Sequence, residues 1–249
     1  MKRSILYRLC MMRHIFVSLR FCLHYFGLRG AMTLPVVFYA PCRFRSLKGS
    51  VELRGTMKRG MVAFGLPGND MFPRFTPCIW NNEGGTVVLH PDVGLNPGAS
   101  VTVRSGALLE IGRGVSIGQN ATILCAGHIH IDSHTLISWD VTIMDTDSHY
   151  FYRLPERAVT DFSAPVRLER HSFVASGACI LKGAVLPAWS ALASHAVLTR
   201  GYTASHTLYG GVPARPMKEG LCYISDTKDR DKEIHDIYSA WQLRTQNLK

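Results

Sequence analysis

The sequence predicts an all-β fold in which short strands and turns repeat as stacked triangular coils. Three observations predict it. An aliphatic residue returns every six positions, a small residue follows four positions after most of these, and 22 Gly and 12 Pro in 249 residues supply frequent turns. The composition, 47% apolar and 18% charged, excludes a disordered chain and a coiled coil. Seven Cys occur with no C-x-x-C pair, which argues against a disulfide framework or a zinc ribbon and fits a reducing cytoplasm.

Residues 1–60 hold 12 Lys/Arg against the single acid Glu52, so the formal net charge of +10 belongs to this segment. Within it, residues 1–30 read as a basic amphipathic helix. Ile5, Leu9, Met12, Phe16, Leu19, Leu23 and Phe26 recur at helical steps of four and three. Lys2, Arg3, Arg8, Arg13 and Arg20 leave no run of the roughly 20 uncharged residues that a membrane span needs. Arg8 likewise argues against a secretory signal. Two readings stay open: the stripe packs on the body or a neighbouring subunit, or it lies on an anionic membrane surface. No recognised nucleic-acid motif accompanies the charge, so no nucleic-acid partner is expected. In residues 31–86, Gly55, Gly60, Gly65 and Gly68 with Pro67, Pro73 and Pro77 interrupt any long element. Irregular early coils with an excursion near 66–85 are expected there.

The repeat proper is expected over residues 87–217. It starts weakly at Leu89, Leu95 and Val101, then at Val103 and Leu109. It strengthens through Ile111, Ile117, Ile123 and Ile129, then Ile131, Ile137 and Ile143, and runs without a break through Leu168, Val174, Ile180, Leu186, Leu192 and Leu198. The second register holds Val115, Ala121, Gly127, Thr135 and Val141, then Ser172, Ala178, Ala184, Ser190 and Ala196. A period of six fits neither a helix nor a simple strand. It fits one side of a triangular coil, with the aliphatic residue inside and the small residue at the turn. Coils stacked about 4.8 Å apart pair as parallel strands, like residue on like. The double register is hard to obtain by accident in a β-sandwich.

The array breaks between Ile143 and Leu168, so residues 150–165 read as a protruding loop. His149 stands where the coil opens, with Asp147 and Asp145 two and four residues before it. An imidazole at this place suits a general base near neutral pH. A carboxylate on its other nitrogen would fix the tautomer, Asp147 being the first candidate and Asp145 the second. After Pro216 the composition changes. Residues 218–249 are expected as a helical tail: Ile234, Ile237, Tyr238 and Trp241 have helical spacing, with Asp229, Asp231 and Glu233 early and Arg244 late, the order the helix dipole favours.

These arrays, the aspartate-rich turn before His149 and the stretch Gly210-Gly211-Val212-Pro213-Ala214-Arg215 resemble the hexapeptide-repeat acyltransferases, in particular the sugar O-acetyltransferases. The resemblance implies a left-handed parallel β-helix, an exception to the usual right-handed crossover. It implies acetyl-CoA as co-substrate, a saccharide acceptor, His149 as catalytic base and a homotrimer with the CoA groove between subunits. Trp139 and Tyr150 fall on the acceptor side, although Trp139 can equally be a packing residue at a coil corner. Gly177, Ala193, Pro213 and Ala214 would line the groove, with Arg200, Arg215 and Lys218 meeting the phosphates. The chain departs from the family pattern at Glu169 and Ala175, where glycine is usual, and at His149-Tyr150, where His-Pro is common. The implied setting is capsule, exopolysaccharide or lipopolysaccharide assembly, in the cytoplasm or on the inner face of its membrane.

Two other functions compete. His128, His130 and His134 could hold zinc as in a metal-dependent β-helix hydratase of the γ-carbonic-anhydrase type, although turn exposure explains them more simply and no metal is expected. Alternatively, the protein is a non-catalytic trimeric scaffold. His171, His195 and His206 are scattered, and Cys125 and Cys179 read as space-filling.

Overall fold

A computed structural model describes residues 9–66, 76–224, 234, 235 and 237–239. A helix, α1 (Ile15–Thr33), leads into three parallel sheets that form the sides of a triangular β-helix. The first sheet stacks β1 (Val36–Phe38), β4 (Val62–Phe64), β7 (Val93–Leu95), β10 (Ser116–Ile117), β13 (Leu136–Ile137), β18 (Phe173–Val174), β21 (Ala191–Leu192), β23 (Thr207–Gly210) and β24 (Arg215–Glu219). The second stacks β2 (Cys42–Leu47), β5 (Cys78–Asn82), β8 (Ser100–Val103), β11 (Thr122–Cys125), β14 (Thr142–Met144), β19 (Cys179–Ile180) and β22 (Val197–Leu198). The third stacks β3 (Ser50–Leu53), β6 (Thr86–Leu89), β9 (Leu108–Ile111), β12 (His128–Ile131), β17 (Val166–Leu168) and β20 (Val185–Leu186).

The six-residue period is the side length of the triangle, and its aliphatic residues fall into register in three interior columns. Leu95, Ile117, Ile137, Val174 and Leu192 stack in the first sheet. Val101, Ile123, Ile143, Ile180 and Leu198 stack in the second, and Leu89, Ile111, Ile131, Leu168 and Leu186 in the third. All are buried, as are the corner residues Ser172, Ala178, Ala184, Ser190 and Ala196. The equivalent corners of the earlier coils hold Val115, Ala121, Thr135 and Val141, also buried, so these tight corners take only small or β-branched side chains.

Coils begin at Val36, inside the stretch where irregular early coils are expected, and the stack continues without interruption into the regular repeat. Gly and Pro in residues 31–86 break long elements, but β1 to β5 are only three to six residues long. Their interior positions hold Phe38, Phe64 and Trp80, so the aliphatic period is missing while the packing is kept. Phe38 and Phe64 stack at 4.8 Å, and Trp80 meets Phe64 edge-on at 5.7 Å. The excursion expected near 66–85 ends by β5, and residues 67–75 lie outside the described part of the chain.

α1 covers the open end of these coils, and only part of the apolar stripe, Leu19 and Phe26, packs against the core. Phe21 is fully buried against Phe38, Phe44, Phe64 and Trp80. Ser18 Oγ accepts the Phe38 N–H at 2.9 Å, and Cys22 Sγ donates to the Val36 carbonyl at 3.2 Å. The first coil has unpaired backbone polar groups at its end, so the helix turns small polar residues inward to satisfy them. Leu9, Met12, Phe16 and Leu23 are left exposed, Phe16 to 80%. Ile5 lies outside the described residues.

At the other end Tyr209 and Tyr202 lie 4.5 Å apart, and β24 pairs antiparallel with β23. The expected helical tail at 218–249 therefore starts inside a strand, because Lys218 and Glu219 complete β24. Residues 234, 235 and 237–239 are helical; most of the expected tail lies outside the described residues.

Candidate active site

The chain leaves the stack after β14, at the corner between the second and third sheets, and returns at β17. The two legs of this excursion are zipped together. The Asp147 N–H donates to Phe162 O at 3.3 Å, the Ala164 N–H to Asp145 O at 2.9 Å, and Thr146 Oγ1 to Phe162 O at 3.0 Å. Further out, β15 (Tyr152–Arg153) and β16 (Ala158–Val159) form a small exposed antiparallel pair. Space is tight at the root, where a Cβ on Gly127 would meet Ser163 Oγ at 2.9 Å.

His149 sits on the outgoing leg, exposed, and its imidazole has no hydrogen-bond partner among the described residues. Neither expected carboxylate orients it. Asp145 is fully buried and faces inward, accepting the Ala126 N–H at 2.7 Å and the Gly127 N–H at 2.8 Å. It staples the neighbouring turn to the root of the excursion. Asp147 forms an ion pair with Lys182, whose Nζ also donates to Asp161 O at 2.8 Å. One lysine from the coil above thus ties both legs. Sequence reasoning missed Lys182, because only the stacking of coils brings it next to residues 147 and 161. Tyr150 packs on Phe162 at 5.0 Å between ring centres and is otherwise exposed.

Trp139 lies elsewhere, at the corner between the first and second sheets. It lines a shallow groove of about 170 Å³ with Asn96, Ser116, Gln119 and Ser138. Gly177, Ala193, Pro213 and Ala214 fall at the same corner in later coils; the Gly177 N–H donates to Trp139 O at 3.0 Å. Gly177 has φ +67°, and the His195 ring occupies the space a Cβ would need. Arg200 belongs to the second–third corner, above the excursion. Its guanidinium lies 5.5 Å from the Tyr202 ring centre, and its Nε donates to Tyr202 Oη at 3.3 Å. Tyr202 Oη donates to Ala214 O at 2.6 Å, so the tyrosine joins Arg200 to the closing turn. Burial pushes the Tyr202 phenol up, but hydrogen bonds and charge from Arg200 and Arg215 outweigh it and hold the pKa below the usual tyrosine value. Two cations thus converge on one hydroxyl, while Lys218 is exposed on β24.

The trio expected for a zinc hydratase does not form. His134 stacks on His171 at 4.9 Å, and His171 on Trp189 at 3.9 Å, in a ladder along the third–first corner. His128 and His130 instead converge on Glu110, with Nε2 and Nδ1 at 3.1 and 3.3 Å from its Oε2.

No family model matches the chain, and no curated protein matches it. Among solved structures it is similar to the polysialic-acid-specific acetyltransferase NeuO, with 16% identity, a TM-score of 0.49, and coverage of 78% of this chain and 80% of that one. It is similar to the polysialic acid O-acetyltransferase OatWY, with 17% identity, a TM-score of 0.41, and coverage of 77% and 78%. A third similar structure is a point mutant of AntD, an N-acyltransferase from Bacillus cereus, in complex with dTDP-4-amino-4,6-dideoxyglucose and coenzyme A. It shows 11% identity and a TM-score of 0.46, with 77% of this chain and 92% of that one covered.

Proposed function

We propose that the protein is an acyl-CoA-dependent O-acyltransferase that moves an acetyl group onto a saccharide hydroxyl, built on the left-handed β-helix that the resemblance implies. The observation that carries this reading is the unpaired, exposed imidazole of His149 at the root of an excursion pinned from both legs. His149 removes the hydroxyl proton as the oxygen attacks the thioester carbonyl. The C–S bond then breaks, and the imidazolium returns the proton to the departing thiolate. The thioester is already activated, so transfer is direct and needs no acyl-enzyme. Arg200 and Arg215 supply charge for the CoA phosphates, and Lys218 extends that cationic edge. The corner with Trp139, Gly177, Ala193, Pro213 and Ala214 supplies the groove. In a homotrimer that corner of one chain faces His149 and Tyr150 of the next. NeuO and OatWY are by name acetyltransferases of polysialic acid and AntD is by name an N-acyltransferase, the same class of chemistry.

A thiol-release assay with acetyl-CoA and a panel of free and lipid-linked saccharides tests the proposal. Intersecting lines in two-substrate kinetics support direct transfer; parallel lines and a trapped acetyl-enzyme refute it. His149→Ala should lower kcat by roughly two to four orders of magnitude. Near-normal turnover removes His149 from the role.

The exposed sides of α1 and of the helical stretch before it, residues 9–13, support a site of action on the inner face of the cytoplasmic membrane. Leu9, Met12, Phe16, Leu23, Leu28 and Met32 are exposed, as are Arg13, Arg20 and Arg29 beside them. Apolar side chains interleaved with cations suit an anionic lipid surface. No helix among the described residues is long and apolar enough to cross a membrane. Met12→Glu/Phe16→Glu should abolish co-sedimentation with phosphatidylserine vesicles while leaving the packed face intact. Unchanged co-sedimentation, or loss of the oligomer instead, overturns this assignment.

A further inference from the structure

We propose that Glu110, His128 and His130 form a binding site for one divalent transition-metal ion of the zinc type. The site follows from strand geometry. His128 and His130 alternate around the buried Ile129 on β12, so both rings leave the same outer face. Parallel pairing puts Glu110 of β9 directly opposite His130. One carboxylate oxygen thus meets a nitrogen of each ring.

The distances fit coordination. With bonds of about 2.0–2.1 Å, adjacent ligand atoms around a tetrahedral ion lie about 3.3 Å apart. Two edges of the triangle already measure 3.1 and 3.3 Å, and all three ligand atoms lie within 4.8 Å of one another. The remaining edge closes by small torsions of rings that are 41% and 37% exposed. Two imidazoles and one carboxylate favour a borderline cation over calcium or magnesium, which take oxygen ligands. Partial exposure leaves the other coordination positions to water or a small anion.

The position of the site gives the ion a task. Gly127, immediately before His128, donates its N–H to Asp145 at the root of the excursion. An ion bridging β9 and β12 would clamp the strand that starts at that staple. This binding is independent of acyl transfer.

The test uses the full chain freed of metal with EDTA and titrated with Co²⁺, followed by ligand-field absorption, and with Zn²⁺ by calorimetry. One ion per chain is expected, with a rise in melting temperature. His128→Ala, His130→Ala and the near-isosteric Glu110→Gln should each weaken binding by at least about tenfold. Their metal-free circular dichroism should match that of the parent. His134→Ala should bind normally. Failure of the parent to bind, binding that survives in all three variants, or loss of binding in His134→Ala overturns the proposal.

Discussion

Asp145 separates a structural staple from a catalytic partner, and the two roles predict opposite results. Its fully buried carboxylate accepts two backbone N–H groups at 2.7 and 2.8 Å, and Cys125 Sγ lies 3.8 Å away. Hydrogen bonds to a charged group contribute about 1.5–3 kcal/mol each. Asp145→Ala removes both and leaves the Ala126 and Gly127 donors without an acceptor. The expected loss is about 3–5 kcal/mol, or a fall in Tm of about 6–20 °C for a chain of this size. Asp145→Asn keeps one acceptor but turns an amide donor towards the second N–H, so it should cost about 2–3 kcal/mol. Burial first, and the Asp145 charge second, push the Cys125 thiol up to about 12. Both variants should therefore also make Cys125 easier to alkylate. Thermal and urea melts followed by circular dichroism give the stability, and acetyl transfer per folded molecule gives the activity. An orienting carboxylate behaves differently: its loss costs about 10⁴ in kcat with the fold intact. If Asp145→Asn melts within about 1 °C of the parent while kcat falls a thousandfold or more, the staple reading is wrong.

Lys182→Met should release both legs of the excursion at a stability cost of only about 1 kcal/mol, since the pair is partly solvated, and should raise the acceptor KM more than it lowers kcat. An unchanged KM refutes that positioning role. Phe21→Ala empties the aromatic cap and should cost about 3–5 kcal/mol; removing residues 1–30 should likewise uncap the core, and a truncated protein that melts like the parent contradicts the packing. Burial raises the Cys22 and Cys78 thiols from a reference of 9.0 to about 11. Their neutral forms are favoured in the fold, so this stability is complete below pH 9 and lost as pH rises towards 11; a flat urea midpoint between pH 8 and 11 counts against it. Equal mixtures of His149→Ala and Arg215→Glu chains, refolded together, should regain activity at about a quarter of the sites, whereas a site confined to one chain regains none.

What could be read from the chain depended on whether a signal repeats. Ile117, Ile137, Val174 and Leu192 announce their coil side because every side contributes one aliphatic residue at one place. The early coils use Phe38, Phe64 and Trp80 at equivalent depth, and three aromatic residues at irregular spacing carry no period. The helix stripe left its packed face undecided for a different reason. Apolar periodicity names the greasy face, but the end of a sheet also presents N–H and C=O groups, and Ser18 and Cys22 answer them. The opening of the coil at His149 was legible as a gap between Ile143 and Leu168. The fates of Asp145 and Asp147 were not, because their partners Gly127 and Lys182 lie next to them only once coils are stacked.

The same stacking constrains how the proposed reaction can be assembled. Trp139, Gly177, Ala193 and the 211–214 turn occupy one corner, whereas His149 leaves from the next, beyond β14. One side of a regular coil holds an extended strand of two to four residues, about 7–13 Å, with a corner turn beyond it. A general base must come within about 3 Å of the proton it removes. A thioester held along the first corner therefore lies out of reach of its own chain's imidazole at the root of the pinned excursion. A neighbour's excursion can cross that gap, because a three-fold arrangement sets unlike corners of identical chains against each other. Tyr150, Phe151 and Leu154, exposed on the excursion, provide apolar surface for such a contact. On the proposed reading, an isolated chain holds every residue the transfer requires, and base and thioester would come together only in an oligomer.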